Sequence, residues 1–176
     1  IYFSAKKKEL IAYHEAGHAL VGALTPNYDI VRKISIIPRG DAGGITFFQP
    51  LEDEDNGLKS KRYYMNELKV ALAGRAAEEL VYCPDEVSTG ASGDYAKVYQ
   101  VARHMVTSFG FGQNNFDYTN MSEISKRTID EEIDILVKNL YEETKEIIKL
   151  HRAHLEFTKN KLLEEEIIDG EWLYKE

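Results

Sequence analysis

The sequence predicts a mainly helical α+β fold: a small β-sheet or hairpin packed on a helical core, followed by a C-terminal helical bundle. Three observations carry this. Residues 8–24 and 59–82 are rich in helix formers, with apolar side chains at helical spacing. Residues 31–38 and 45–48 bring β-branched and aromatic side chains in near-alternation around a glycine-rich turn. From 128 to 165, apolar side chains recur along one side of a long polar stretch.

The first helix, 8–24, is apolar on nearly every face and therefore reads as buried, and Pro26 ends it. Val31, Ile34, Ile36 and Ile37 mark a strand, 39–44 a turn, and Ile45-Thr46-Phe47-Phe48 the returning strand. The acidic run 52–57 reads as a solvated loop. In the second helix Leu68, Leu72, Ala76 and Leu80 lie four apart on one stripe, and Pro84 marks its end. A small-residue loop, 88–94, leads into a third helix over 95–109, with Ser92 as its N-cap and Val98, Ala102, Met105, Val106 and Phe109 at helical spacing. A Gly/Asn-rich break at 110–115 precedes the amphipathic region, where Ile129, Ile133, Leu136, Leu140, Ile147 and Ile148 share a side.

A chain of 176 residues with 43% apolar content suits one domain, 1–176, with a core over 1–110 and a C-terminal helical region over 122–176. The net charge of −8 argues against a nucleic-acid partner, because phosphate binding needs a basic face. Cys83 is the sole cysteine, so a metal site here must use His and carboxylate ligands. No apolar run approaches the roughly 20 residues that span a bilayer, so the chain as given is expected to be soluble. It begins at Ile1 without a Met or a signal-peptide core, which reads as a fragment whose missing N-terminal region holds any anchor.

One local pattern is chemically specific: His14-Glu15-Ala16-Gly17-His18, the His-Glu-x-x-His arrangement of zinc peptidases, here inside a predicted buried helix. Residues four apart share a helical face, so both imidazoles can reach one ion, and Glu15 projects beside them. Zinc lowers the pKa of a bound water towards neutrality, and Glu15 is placed to take its proton as the water attacks a peptide carbonyl. Burying two imidazoles and a carboxylate without partners is costly, and a metal supplies those partners. The helical core therefore reads as zincin-like.

A catalytic zinc has three protein ligands, so one more must come from elsewhere. Leu24 stands where the long metzincin pattern needs a histidine, and the nearest downstream acids are Asp29 and Asp41. Asp94, in the first turn of the third helix, is the better candidate, because the helix dipole and free N–H groups favour an ionised carboxylate there. Ordinary stabilisation of that helix accounts for it equally well. Glu78 and Glu79 are runners-up, although an adjacent acidic pair more often forms a solvated face or partners Arg75. His104, His151 and His154 read as exposed or packed helix positions.

Together His14-Glu15-Ala16-Gly17-His18-Ala19, Ile36-Ile37-Pro38-Arg39-Gly40, Ala73-Gly74-Arg75-Ala76-Ala77-Glu78-Glu79 and Ser88-Thr89-Gly90-Ala91-Ser92-Gly93-Asp94 resemble the peptidase domain of FtsH-type ATP-dependent AAA metalloproteases, in order and approximate spacing. The resemblance implies a zinc metalloendopeptidase with His14, His18 and Asp94 as metal ligands and Glu15 as general base. It implies an edge strand at 43–48 on which an extended substrate lies, and unfolded or membrane proteins as substrates in protein quality control. It also implies a homo-oligomer, a hexamer, whose ATP is used by an ATPase module absent from this chain. The parent protein would be anchored in a mitochondrial inner, plastid or bacterial inner membrane through the missing N-terminal region. Two competing readings are a non-catalytic helical oligomerisation module with a structural metal, and a zinc hydrolase acting on another substrate.

Overall fold

The computed structural model describes residues 4–38, 43–50, 58–113 and 119–174. Helix α1 (Ala5–Leu24) starts where the Ser4 side chain accepts from Lys7 N–H, and Pro26 follows its cap at Thr25. It is the central rod of the molecule, with Ile11 to Gly22 buried without a break. Strands β1 (Ile30–Ser35) and β2 (Ile45–Gln49) pair antiparallel, with an irregularity between Val31 and Lys33. Most of the expected turn, including Asp41, lies outside the described residues, as does the acidic run 52–57.

Helix α2 (Lys61–Tyr82) is capped by Ser60 and ends at Cys83, ahead of Pro84. Two short 3-10 turns, Pro84–Glu86 and Thr89–Ala91, carry the chain into α3 (Ser92–Val106). Here the structure corrects the expected N-cap. Ser92 is already helical, and its hydroxyl donates to the Thr89 carbonyl at 2.6 Å instead of accepting from the helix. The helix also stops before Phe109, which is exposed and stacks on Tyr64.

The amphipathic region is two helices, α4 (Glu123–Leu150) and α5 (Arg152–Glu165), broken at His151. A third strand that the sequence reading missed, β3 (Ile167–Asp169), returns to pair antiparallel with β1, and α6 (Glu171–Tyr174) closes the chain. The sheet order is β2-β1-β3, so β2 is an edge strand.

Two apolar clusters form. One gathers α1, β1 and α5 around residues such as Val21, Val31, Ile34 and Leu162, and the other joins α2, α3 and α4 through Leu68, Leu72, Met105 and Leu140. Each fully buried aliphatic side chain of this kind contributes about 1.5–3 kcal/mol relative to exposure. Among the described residues no helix is long and apolar enough to cross a membrane.

Candidate metal centre

His14, Glu15 and His18 sit buried in the middle of α1. Their spacing puts the two imidazoles on one helical face, with ring centroids 4.8 Å apart. Asp94 arrives from the first turn of α3. Its Oδ2 lies 3.0 Å from His14 Nε2 and 3.2 Å from His18 Nε2, and the two Nε2 atoms are 3.1 Å apart.

The far side of each ring fixes its tautomer. His18 Nδ1 lies 2.7 Å from the Val70 carbonyl oxygen, which can only accept, so Nδ1 carries the proton. His14 Nδ1 lies 2.6 Å from Glu78 Oε2, and an ionised carboxylate imposes the same tautomer. In the neutral rings, both Nε2 lone pairs then face each other and a carboxylate oxygen. Three acceptors this close repel unless a proton or a cation joins them.

The titration behaviour agrees. Burial works against a charge on His14, but its hydrogen bonds with Asp94 and Glu78 outweigh burial and push the pKa up to about 10. For Asp94 burial acts upward, yet the bonds to His14 and His18 hold the carboxyl well below the usual carboxylate range. The pocket attracts positive charge.

Zinc fits these donors. Three ligand atoms each about 2.0–2.1 Å from an ion at tetrahedral angles stand about 3.3 Å apart, close to the triangle observed, and two imidazoles with one carboxylate suit the metal. Space is provided by Gly74 on α2, because a Cβ there would meet His14 Nε2 at 2.5 Å and His18 Nε2 at 2.6 Å. Among the described residues this trio is the one group of three such side chains whose ligand atoms converge, within 4.8 Å.

The other acids weighed from the sequence have their own partners. Asp29 accepts from the Tyr63 hydroxyl at 2.9 Å. Glu78 is not on a solvated face: it is wholly buried, its Oε2 bonds His14, and its Oε1 accepts from Ser88 N–H at 2.9 Å and Ser88 Oγ at 2.6 Å. Glu79 instead pairs with Lys145 at 3.0 Å. Arg75 donates to the Ser88 carbonyl at 2.7 Å rather than pairing with either acid. Helix α2 thus pins both His14 and the loop that delivers Asp94.

Beside the trio runs a cleft lined by Glu15, Tyr28, Thr46, Phe48, Val70 and Lys97. A more apolar hollow between the end of α1, α5 and α6 contains none of the converging groups. His104 and His154 are exposed and His151 stands at the α4–α5 break, all away from the trio.

Comparison with known proteins points the same way. The profile of peptidase family M41 matches residues 1–175. A relative named ATP-dependent zinc metalloprotease FtsH 3, from Synechocystis sp., is 44% identical over 189 residues, covering 97% of this chain and 31% of the relative. The chloroplastic ATP-dependent zinc metalloprotease FTSH 1 of Arabidopsis thaliana is 44% identical over 187 residues, covering 96% and 26%. Its counterpart from Medicago sativa is 46% identical over 187 residues, again covering 96% and 26%. The chain therefore spans less than a third of the length of these relatives.

Proposed function

We propose, since the chain belongs to peptidase family M41, that His14, His18 and Asp94 hold its zinc ion and that Glu15 is the general base of peptide hydrolysis. The chain is a zinc metalloprotease domain, and its substrates are proteins. The reading as a non-catalytic module with a structural metal gives way to this. What supports the assignment of residues is the convergence of His14 Nε2, His18 Nε2 and Asp94 Oδ2, the two histidines lying within one helical turn of Glu15.

When bound, zinc supplies Lewis acidity that brings a water's pKa towards neutrality and polarises a carbonyl. The rest falls to the chain. Glu78 and the Val70 carbonyl hold the imidazoles in the tautomer that offers Nε2. Glu15 takes the proton of the attacking water and hands it to the leaving amine. The edge of β2, unpaired among the described residues, gives an extended peptide backbone a strand to pair with beside the base.

For the longer protein we propose ATP-dependent proteolysis of unfolded or membrane proteins in quality control, by a homohexamer whose ATPase and membrane anchor lie outside this chain. Its relatives' names, with "ATP-dependent" and "chloroplastic" among them, support this, as does their length. A bacterial inner, plastid or mitochondrial inner membrane is the proposed setting.

The deciding experiment measures zinc by elemental analysis and cleavage of unfolded casein, for the wild-type chain and Glu15→Gln. Both should hold zinc, and the variant should lose about 10²–10⁴-fold in cleavage rate. Equal cleavage by the two would remove Glu15 as base, and absence of zinc from both in chelator-free buffer would remove the metal assignment.

A further inference from the structure

We infer that Thr46 is a positioning residue for the general base: its hydroxyl, presented by edge strand β2, fixes the carboxylate of Glu15. This holds only if Glu15 is the base, as proposed above. The Thr46 Oγ1 donates to Glu15 Oε2 at 2.7 Å, while its approach to the Glu15 carbonyl, at 3.4 Å, is too long to compete. A hydroxyl has one proton to give, and here it goes to the carboxylate.

The strand is held to the helix on both sides of this bond. Side chains two apart on a strand share a face, and Phe48, two residues on, packs so closely over Gly22 of α1 that a Cβ there would meet its ring at 2.6 Å. On the other side, a Cβ at Gly44 would stand 3.0 Å from Glu15 Cγ and 2.9 Å from the Ser35 carbonyl oxygen. The inward face of β2 therefore closes over the stem of Glu15, and Thr46 is its hydrogen-bonding contact with the carboxylate end.

A glutamate has three side-chain torsions, and its carboxylate can point in several directions unless something selects one. The bond from Thr46 engages Oε2 and leaves the other oxygen, Oε1, to accept a proton. Because β2 is an edge strand among the described residues, the residue that orients the base belongs to the element on which a peptide is proposed to lie. Strand position and base orientation are thereby tied together.

The test compares the zinc-loaded wild-type chain with Thr46→Val, Thr46→Ser, Glu15→Gln and the Glu15→Gln/Thr46→Val pair, using a quenched fluorescent peptide. Valine keeps the branched shape and strand preference while deleting the hydroxyl. Thr46→Val should lose about tenfold to a hundredfold in kcat, the scale of a misplaced catalytic group, with KM within about twofold of wild type. Thr46→Ser should recover to within about threefold of wild-type kcat, because the donor is restored. In the Glu15→Gln background the valine should cost nothing more, since coupled residues are non-additive.

Zinc content and melting temperature should be the same in all four variants. A crystal structure of Thr46→Val should show the Glu15 carboxylate spread over more than one position, and Thr46→Ser should show one. Wild-type kcat in Thr46→Val alongside an inactive Glu15→Gln would overturn the role of Thr46 and leave the base in place. Equal losses in Val and Ser, or a raised KM at unchanged kcat, would also overturn it and make Thr46 a packing or substrate-binding residue. An active Glu15→Gln would instead remove the base assignment itself.

Discussion

Glu78 and Glu79 are neighbours in the sequence with opposite surroundings. Glu78 is wholly buried between His14 and Ser88, whereas Glu79 reaches Lys145 at the surface of α4. Burial alone would raise the Glu78 pKa, but bonds with His14 and Ser88 bring it below the ordinary value, so the carboxylate stays charged and orients the imidazole. Glu78→Gln keeps the shape and removes that charge. It should weaken zinc binding about tenfold to a hundredfold, read by competition against a chelator. Unchanged zinc affinity would show that the Glu78 charge does not act on the metal site. At this scale the His-Glu-x-x-His spacing was fully readable, because helical geometry converts a spacing of four into one face. The part played by Glu78 was not, since nothing in an acidic pair says which member the helix turns inward, and Thr46 gave no sign because its partner is distant in sequence.

Between the elements, the face of α1 that carries His14 and His18 is set by how closely α2 approaches. Gly17 lies between His14 and His18 at the crossing, and a Cβ there would meet the Ala73 carbonyl oxygen at 2.6 Å and Ala77 Cβ at 2.8 Å. Backbone is on the other side, so a rotamer change cannot relieve the clash. Gly17→Ala should cost about 1–3 kcal/mol in urea unfolding and reduce zinc affinity as well, because the helices must separate where the two proposed histidine ligands sit. Gly93, near the start of α3, meets nothing within 4 Å, and Gly93→Ala should be neutral or stabilising by up to about 1 kcal/mol. Equal effects at the two sites would refute close packing as the reason for Gly17. Helices α1, α2 and the β1–β2 hairpin were legible from periodicity and punctuation. The stripe on α2 was legible only in part: Leu68 and Leu72 join the α3–α4 cluster, while Ala76 and the partly buried Leu80 face the α1 cluster. One helix thus serves two cores, which a single stripe cannot express. The start of α3 was misplaced because Ser92, read as a cap, bonds backwards to Thr89.

Across the whole molecule, long-range closure is what sequence patterns carried least. Strand β3 is three residues long, too short for an alternation signal, and exists because Ile168 buries itself opposite Ile34 of β1. A second molecule-wide feature is the distribution of tyrosines. Tyr13, Tyr28, Tyr63, Tyr82, Tyr95 and Tyr141 all have pKa values raised above the ordinary one, burial being the first cause in each. Tyr13, Tyr63 and Tyr82 also donate to Glu156, Asp29 and Glu9, which further disfavours ionisation. These rings border both clusters, so their ionisation bears on the fold as a whole. The sign follows from linkage: a folded-state pKa above the unfolded value of about 10 gives stability that is complete below about pH 10 and is lost as pH rises towards the folded value. The urea midpoint should therefore hold steady through about pH 9 and fall increasingly beyond about pH 10. Measuring it on Asp94→Ala, which lacks one proposed ligand, with a chelator present keeps metal occupancy out of the comparison, and Tyr13→Phe should shallow the fall without moving its onset. A midpoint that stays flat to about pH 11.5, well past the ordinary tyrosine value, would mean that the tyrosines ionise as readily in the folded chain as in the unfolded one.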